Sequence, residues 1–168
     1  MSAAAEMSRT PGSRLMAWWG RCEKLPFGRT LFGLVIRFTV PYSASIGATV
    51  LALSPGHAKL ALRDRPAVRN HLGSIHAVAL TNLGELTSGL AMTAALPAGV
   101  RGIVRSIVTD YAKKARGTLV AESRVVLPAV AGDTDFEVRA EIRDEGGDVV
   151  ATVRVQWRLG LAPGTHAS

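Results

Sequence analysis

The chain has 168 residues, enough for one domain with its own core, and 48% of them are hydrophobic, which excludes a disordered protein. The formal net charge of +7 favours anionic partners, whether a phosphorylated small molecule, an acidic membrane face or nucleic acid, without choosing among them. The single cysteine, Cys22, excludes an intrachain disulfide and a cysteine-based zinc site, and it points to a reducing, cytoplasmic setting.

Residues 1–12 lack the basic start and apolar run of a signal peptide and read as a disordered tail. The spacing of Leu15, Met16, Trp18, Trp19 and Cys22 predicts a short helix over 13–25, broken by Pro26 and Gly28. An apolar segment follows at 30–40 and stops at Pro41; a bilayer needs roughly 20 residues, so it reads as a packed helix or wrapping arm, with a membrane-surface helix as the alternative and membrane contact not expected. The period then changes. Strands are expected at 48–53 and 57–63 around the turn Ser54-Pro55-Gly56, then an irregular stretch at 64–73. A long helix is expected over 74–96, closed by Pro97 and Gly99. The last third is strand-rich: 103–111, 118–127, then Phe136, Val138, Ala140 and Ile142 alternating with polar residues, a hairpin loop at 144–148, and a similar alternation from Ala151 to Leu159. One long helix and an antiparallel sheet of this order bury each other in an α+β layer packing.

The long helix carries the chemistry. Between Ile75 and Leu96 it has one carboxylate, Glu85, whose helical neighbours are Thr81, Asn82, Ser88 and Gly89. A carboxylate on a small polar stripe of an apolar helix has a raised pKa and suits a general base acting on water; a short solvated helix face gives the same pattern. At the helix start, Asn70, Gly73 and Ser74 suit an N-terminus, although capping alone accounts for Asn70 and Ser74. Unpaired backbone N–H groups there, that of Ala77 foremost, are placed to receive a developing oxyanion. Glu85 follows His76 by nine residues, which is about 14 Å and half a turn along a helix. The two features cannot meet within one chain, so a shared site requires a second copy related by a two-fold axis.

The string Asn70-x-x-Gly73-x-x-His76, with an acid nine positions later, resembles the signature of hotdog-fold acyl-CoA thioesterases of the phenylacetyl-CoA thioesterase type. The wider string from Arg69 to Ala77, with Glu85 and the run Tyr111-Ala112-Lys113-Lys114-Ala115-Arg116-Gly117, is similar to a bacterial branch of that superfamily, and the resemblance spans about residues 30–160. It implies a hotdog fold over 46–161, an antiparallel sheet wrapped around one long central helix, preceded by a helical arm at 13–45 and followed by a disordered tail at 162–168. It also implies a homodimer, open to further pairing as a tetramer, that hydrolyses an acyl-CoA or related thioester without metal or cofactor. Glu85 would then be base or nucleophile from the opposite subunit. Asn70 would place water or the thioester beside Gly73, His76 would orient the loop, and the Ala77 N–H would polarise the carbonyl. Lys113, Lys114 and Arg116, with the backbone of Gly117, would meet the CoA phosphates; an ordinary solvated turn is the alternative.

The chain departs from the family pattern in having Ala77-Val78 where Gly-Gly is frequent and Glu where Asp is usual. A Ser or Thr that some members carry on the next strand falls near Val104 to Ser106, where the register gives no assignment. The acyl tail is expected between the subunits, along Leu80, Leu83 and the inner strand faces. His57 and His71 lack the spacing of metal ligands. No nucleic-acid motif or aromatic stacking platform accompanies the basic residues, so nucleic acid is not an expected partner. Two other readings stand beside hydrolysis: a non-catalytic acyl- or CoA-binding hotdog protein, and a hotdog hydratase or dehydratase.

Overall fold

The computed structural model describes residues 10–161. Helices α1 (Pro11–Cys22), α2 (Gly28–Thr39) and the single turn α3 (Pro41–Ala44) precede strands β1 (Thr49–Ser54) and β2 (His57–Leu62). The long helix α4 (Ala77–Ala95) leads into β3 (Val100–Tyr111), β4 (Leu119–Arg124), β5 (Thr134–Arg143) and β6 (Val149–Leu161). The terminal segments 1–9 and 162–168, read from sequence as tails, lie outside the described residues. Residues 11 and 12 do not belong to a tail: α1 starts at Pro11, because the Thr10 side chain accepts a hydrogen bond from the Ser13 N–H at 3.0 Å and proline fits the first helical position.

The six strands form one antiparallel sheet in the order β1-β2-β4-β5-β6-β3. Alternation sets its inner face: Ala58, Leu60 and Leu62 on β2, Leu119 and Ala121 on β4, Val138, Ala140 and Ile142 on β5, and Val153, Val155 and Leu159 on β6 are all buried. Helix α4 lies across that face. A helix apolar on most sides must be covered on most sides. The sheet covers one side of α4, and α1 packs on another, where a β-carbon at Gly12 would overlap the carbonyl oxygen of Thr93. Gly84 faces the sheet, and its missing side chain admits the isopropyl group of Val153. The arm closes on itself through Trp19 and Phe32, packed edge to face with ring centroids 5.0 Å apart. This is the α+β hotdog arrangement, with a helical arm laid over the helix. Among the described residues, no helix is long and apolar enough to cross a membrane.

Two differences from the expected elements bear on the site. Helix α4 begins at Ala77, three residues later than the pattern of small polar residues indicates, because Ile75 is drawn into a bridge with Arg69 and its N–H bonds to the Ala115 carbonyl at 2.9 Å. Strand β3 begins at Val100, before the expected 103, and runs along β6 at the end of the sheet. Its outer edge has no strand partner among the described residues, and Ile103, Ile107, Val108 and Tyr111 are exposed.

Candidate functional site

The site is built around the N-terminal half of α4. Asn70 does not cap the helix. Its carboxamide oxygen accepts from the Leu72 N–H at 2.9 Å and from the Ser74 N–H and Oγ at 3.2 Å each, while its own N–H bonds to the Ser74 carbonyl at 2.8 Å. A loop so tied has one preferred shape, and Gly73 takes the left-handed φ of 67° that closes it. His76 is the cap: its Nδ1 accepts from the Val78 N–H at 3.1 Å, and its carbonyl accepts from Ala79 and Leu80. The Ala77 N–H is left without a partner among the described residues, at the positive end of a 19-residue helix and on an exposed residue.

The first turn of α4 is tied to β3 by a hydroxyl cluster. Thr81 Oγ1 lies 2.9 Å from both Thr109 Oγ1 and Tyr111 Oη, and the Tyr111 hydroxyl donates to the Ala77 carbonyl at 3.1 Å. Sequence reading misses Tyr111 and Thr109 as supports of the helix start, since β3 pairs with β6 and its contact with α4 exists only in three dimensions.

One turn further along stands Glu85, half-buried. Burial pushes its carboxyl above the ordinary value, opposed by a hydrogen bond donated by Ser43 Oγ to Oε2 at 3.3 Å. Ser43 sits on α3, 42 residues earlier, and no local pattern announces it. Of the expected polar stripe, Thr81, Asn82 and Gly89 are half-buried beside Glu85. Ser88 is fully buried instead, with its hydroxyl donating to the Glu85 carbonyl at 2.9 Å. Glu85 and Ser43 line two spaces. One is an open groove of about 370 Å³ lined by Tyr42, Val78, Asn82, Val104 and Ile107, beside the exposed edge of β3. The other is a cavity of about 400 Å³ between α1, α2 and α4.

Leu80 and Leu83 correct the expected path of an acyl tail. Both are buried in the packing of α4 on the sheet, at 3% and 0% exposure, and line neither space. The basic run is also less open than its composition indicates. Lys113 Nζ lies 2.6 Å from the carboxylates of both Asp144 and Asp148, so a phosphate would compete with two resident anions there. Asp64 is held below the ordinary carboxylate range, chiefly by a 2.6 Å hydrogen bond from Arg69, with the Gly117 N–H and the charge of Arg116 adding to it. Lys114 is exposed, and Gly117 takes a φ of 70°. The structure thus brings Glu85 and the Ala77 N–H onto one helix, two turns apart, and sets the basic run on the loop that follows β3. His57 lies on the sheet, hydrogen-bonded to Glu122 at 2.9 Å, and His71 is an exposed loop residue. Among the described residues, no three His, Cys, Asp or Glu side chains gather as a metal site requires.

Residues 28–159 match the family described as Domain of unknown function (DUF4442). No curated protein matches the chain. Among solved structures, the chain is similar to a structural-genomics protein at 27% identity and a TM-score of 0.77, over 89% of this chain and 99% of that one. It is also similar to a Pseudomonas aeruginosa protein of unknown function described as a probable thioesterase, at 22% identity and a TM-score of 0.68, over 82% and 97% of the two chains. The phenylacetic acid degradation protein PaaI of Thermus thermophilus matches at 24% identity and a TM-score of 0.60, over 70% of this chain and 97% of that one. The last two likenesses speak to the fold.

Proposed function

We propose, for a chain that belongs to the family described as Domain of unknown function (DUF4442) and has the hotdog fold, that it is a dimeric thioesterase acting on acyl-CoA or a related acyl thioester. The observation that carries this reading is a half-buried carboxylate, Glu85, facing an open groove, on the same helix whose first N–H, that of Ala77, is unpaired among the described residues. Eight residues separate the two, about 12 Å of helix rise, too far for one thioester carbonyl to touch both. Two copies of α4 related by a two-fold axis bring Glu85 of one subunit to Ala77 of the other. The exposed apolar edge of β3 beside the groove supports such a pairing.

In this reading Glu85 takes a proton from water as the water attacks the thioester carbonyl carbon, and the Ala77 N–H of the partner copy donates to the oxyanion that forms. Collapse of the tetrahedral intermediate breaks the carbon–sulfur bond, and the proton returns to the leaving thiolate. Asn70 and His76 hold the loop that fixes the donor. His76 directs Nδ1 to its own helix, where it accepts from the Val78 N–H. Lys114 and Arg116 are the cations left to meet CoA phosphates. The first test is thiol release from acyl-CoAs of varied length by the purified protein. Absence of release from every substrate would leave the non-catalytic binding protein.

A mixing experiment tests the shared site. Ala77→Pro removes the one N–H while suiting the first helical position, and His76 already has the extended φ of −64° and ψ of 139° that a following proline requires. Ala77→Pro and Glu85→Gln chains are each expected to be inactive alone. Random pairing makes half the dimers mixed, each with one complete site, so about a quarter of wild-type activity returns on co-expression. No recovery from verified heterodimers would rule out a site shared between subunits.

The pH profile gives a third prediction. The Ser43 hydroxyl favours the ionised form of Glu85, so Ser43→Ala is expected to raise the Glu85 pKa further. The acid limb of kcat/KM then moves to higher pH, while the rate on the alkaline plateau is retained. An unmoved acid limb would exclude Glu85 as the titrating base.

A further inference from the structure

The cavity beneath the helical arm is the feature the reading above leaves unused. It holds about 400 Å³, within the range of small-molecule sites, and is walled mainly by apolar side chains, among them Leu15 and Trp18 of α1, Val35 of α2, Leu86 and Leu90 of α4, and Trp157 of β6. Two observations point it at a ligand. Glu85 and Ser43 belong to its wall as well as to the groove beside β3, so the carboxylate stands where the two spaces meet. The wall also contains Trp157, 7% exposed, whose indole N–H has no acceptor among the described residues. Gly89 lines the cavity between the two: a β-carbon there would touch Trp157 Cζ2 at 3.7 Å and Glu85 Oε1 at 3.8 Å, so a larger side chain at this position reaches into the space beside the carboxylate.

We propose that this cavity, walled within one subunit by α1, α2 and α4, is the acyl-chain pocket and selects medium-chain acyl groups. The inference rests on the thioesterase reading for the placement of the thioester at Glu85. The tail runs from the groove, past Glu85 and Gly89, under the arm. At about 30 Å³ for each methylene-sized group, the volume a water also claims, the cavity admits roughly a dozen carbons. The arm is therefore the element that sets chain length, and it does so without contribution from the partner copy.

The test uses S-alkyl-CoA thioethers, which keep the tail and cannot be hydrolysed, titrated calorimetrically into the full-length protein. Affinity is expected to rise by up to roughly three- to fourfold per methylene and to level off near a dozen carbons. Two variants fill the cavity from opposite walls. Gly89→Leu from α4 and Leu15→Trp from α1 are each expected to move the plateau to chains about four carbons shorter, and thiol release from acyl-CoAs should shift in the same way. Thermal melting establishes that each variant is folded. Should one fail to fold, the other carries the test. Binding that follows tail length in thioethers, without hydrolysis of any thioester, would keep the pocket and overturn the thioesterase reading. Hydrolysis with the same length profile in wild type and in both folded variants would overturn the pocket and keep the reading. Affinity indifferent to tail length would overturn the pocket.

Discussion

Replacing Glu85 by Gln is expected to lower thiol release by about 10²- to 10⁴-fold, the usual contribution of a positioned general base, while leaving thioether binding intact. That loss corresponds to roughly 3–5 kcal/mol of transition-state stabilisation. The same substitution is expected to stabilise the fold at neutral and alkaline pH, because the carboxylate is held against a desolvation penalty. The sign follows from linkage: a carboxyl whose pKa is raised by folding stabilises the folded state when protonated, and that contribution is lost as pH rises through the folded-state pKa. The melting temperature of Glu85→Gln should therefore exceed that of wild type at pH 8, and the gap should close as pH falls through the raised Glu85 pKa to below the ordinary glutamate range. Loss of activity with a gap in melting temperature that ignores pH would mean that Glu85 is not the group whose ionisation is opposed by burial. An active site that lowers stability for the sake of a poised charge is a frequent trade.

Gly84→Ala carries the largest expected effect on stability. Alanine is the better helix former by about 1 kcal/mol in an exposed helix, yet a β-carbon at Gly84 would overlap the fully buried isopropyl group of Val153 on β6. Either α4 lifts from the sheet or β6 bends, and overpacking of this kind costs about 1–3 kcal/mol. A fall in melting temperature of roughly 2–12 °C is expected for a chain of this size. The double variant Gly84→Ala with Val153→Gly removes every overlapping carbon, the Val153 β-carbon included, so its destabilisation should be smaller than the sum of the two single effects, the signature of groups in contact. Additive losses would show that the helix does not rest on Val153 at this point.

Gly84 and Glu85 mark how far the sequence can be read. The change of period at Gly47, the alternation on either side of the loop at 144–148 and the long apolar segment before Pro97 convey an α+β layering without any structure, because burial on one face dictates a strand period of two and burial on most sides dictates an apolar helix. The lone carboxylate of that helix is visible for the same reason: an acid amid apolar residues stands out. Boundaries at the helix start are not. Asn70 and Ser74 have the chemistry of caps, but Asn70 spends its carboxamide on the loop, and His76, a less usual cap, takes the helix end because its Nδ1 reaches the Val78 N–H.

Local order along the chain is enough to establish the layers, the succession of elements, the long helix and the residue on it with the chemistry of a base, since each depends on neighbours within a turn or a strand. Which residues surround that base is settled in three dimensions. Ser43 reaches Glu85 across 42 positions, Tyr111 and Thr109 brace the start of α4 from β3, Lys113 is held by the β5–β6 loop, and the arm walls a cavity that Leu80 and Leu83, packed against the sheet, do not line. These are contacts between elements distant along the chain, and local propensity and periodicity carry no information about which surfaces will meet once every element has covered its apolar face.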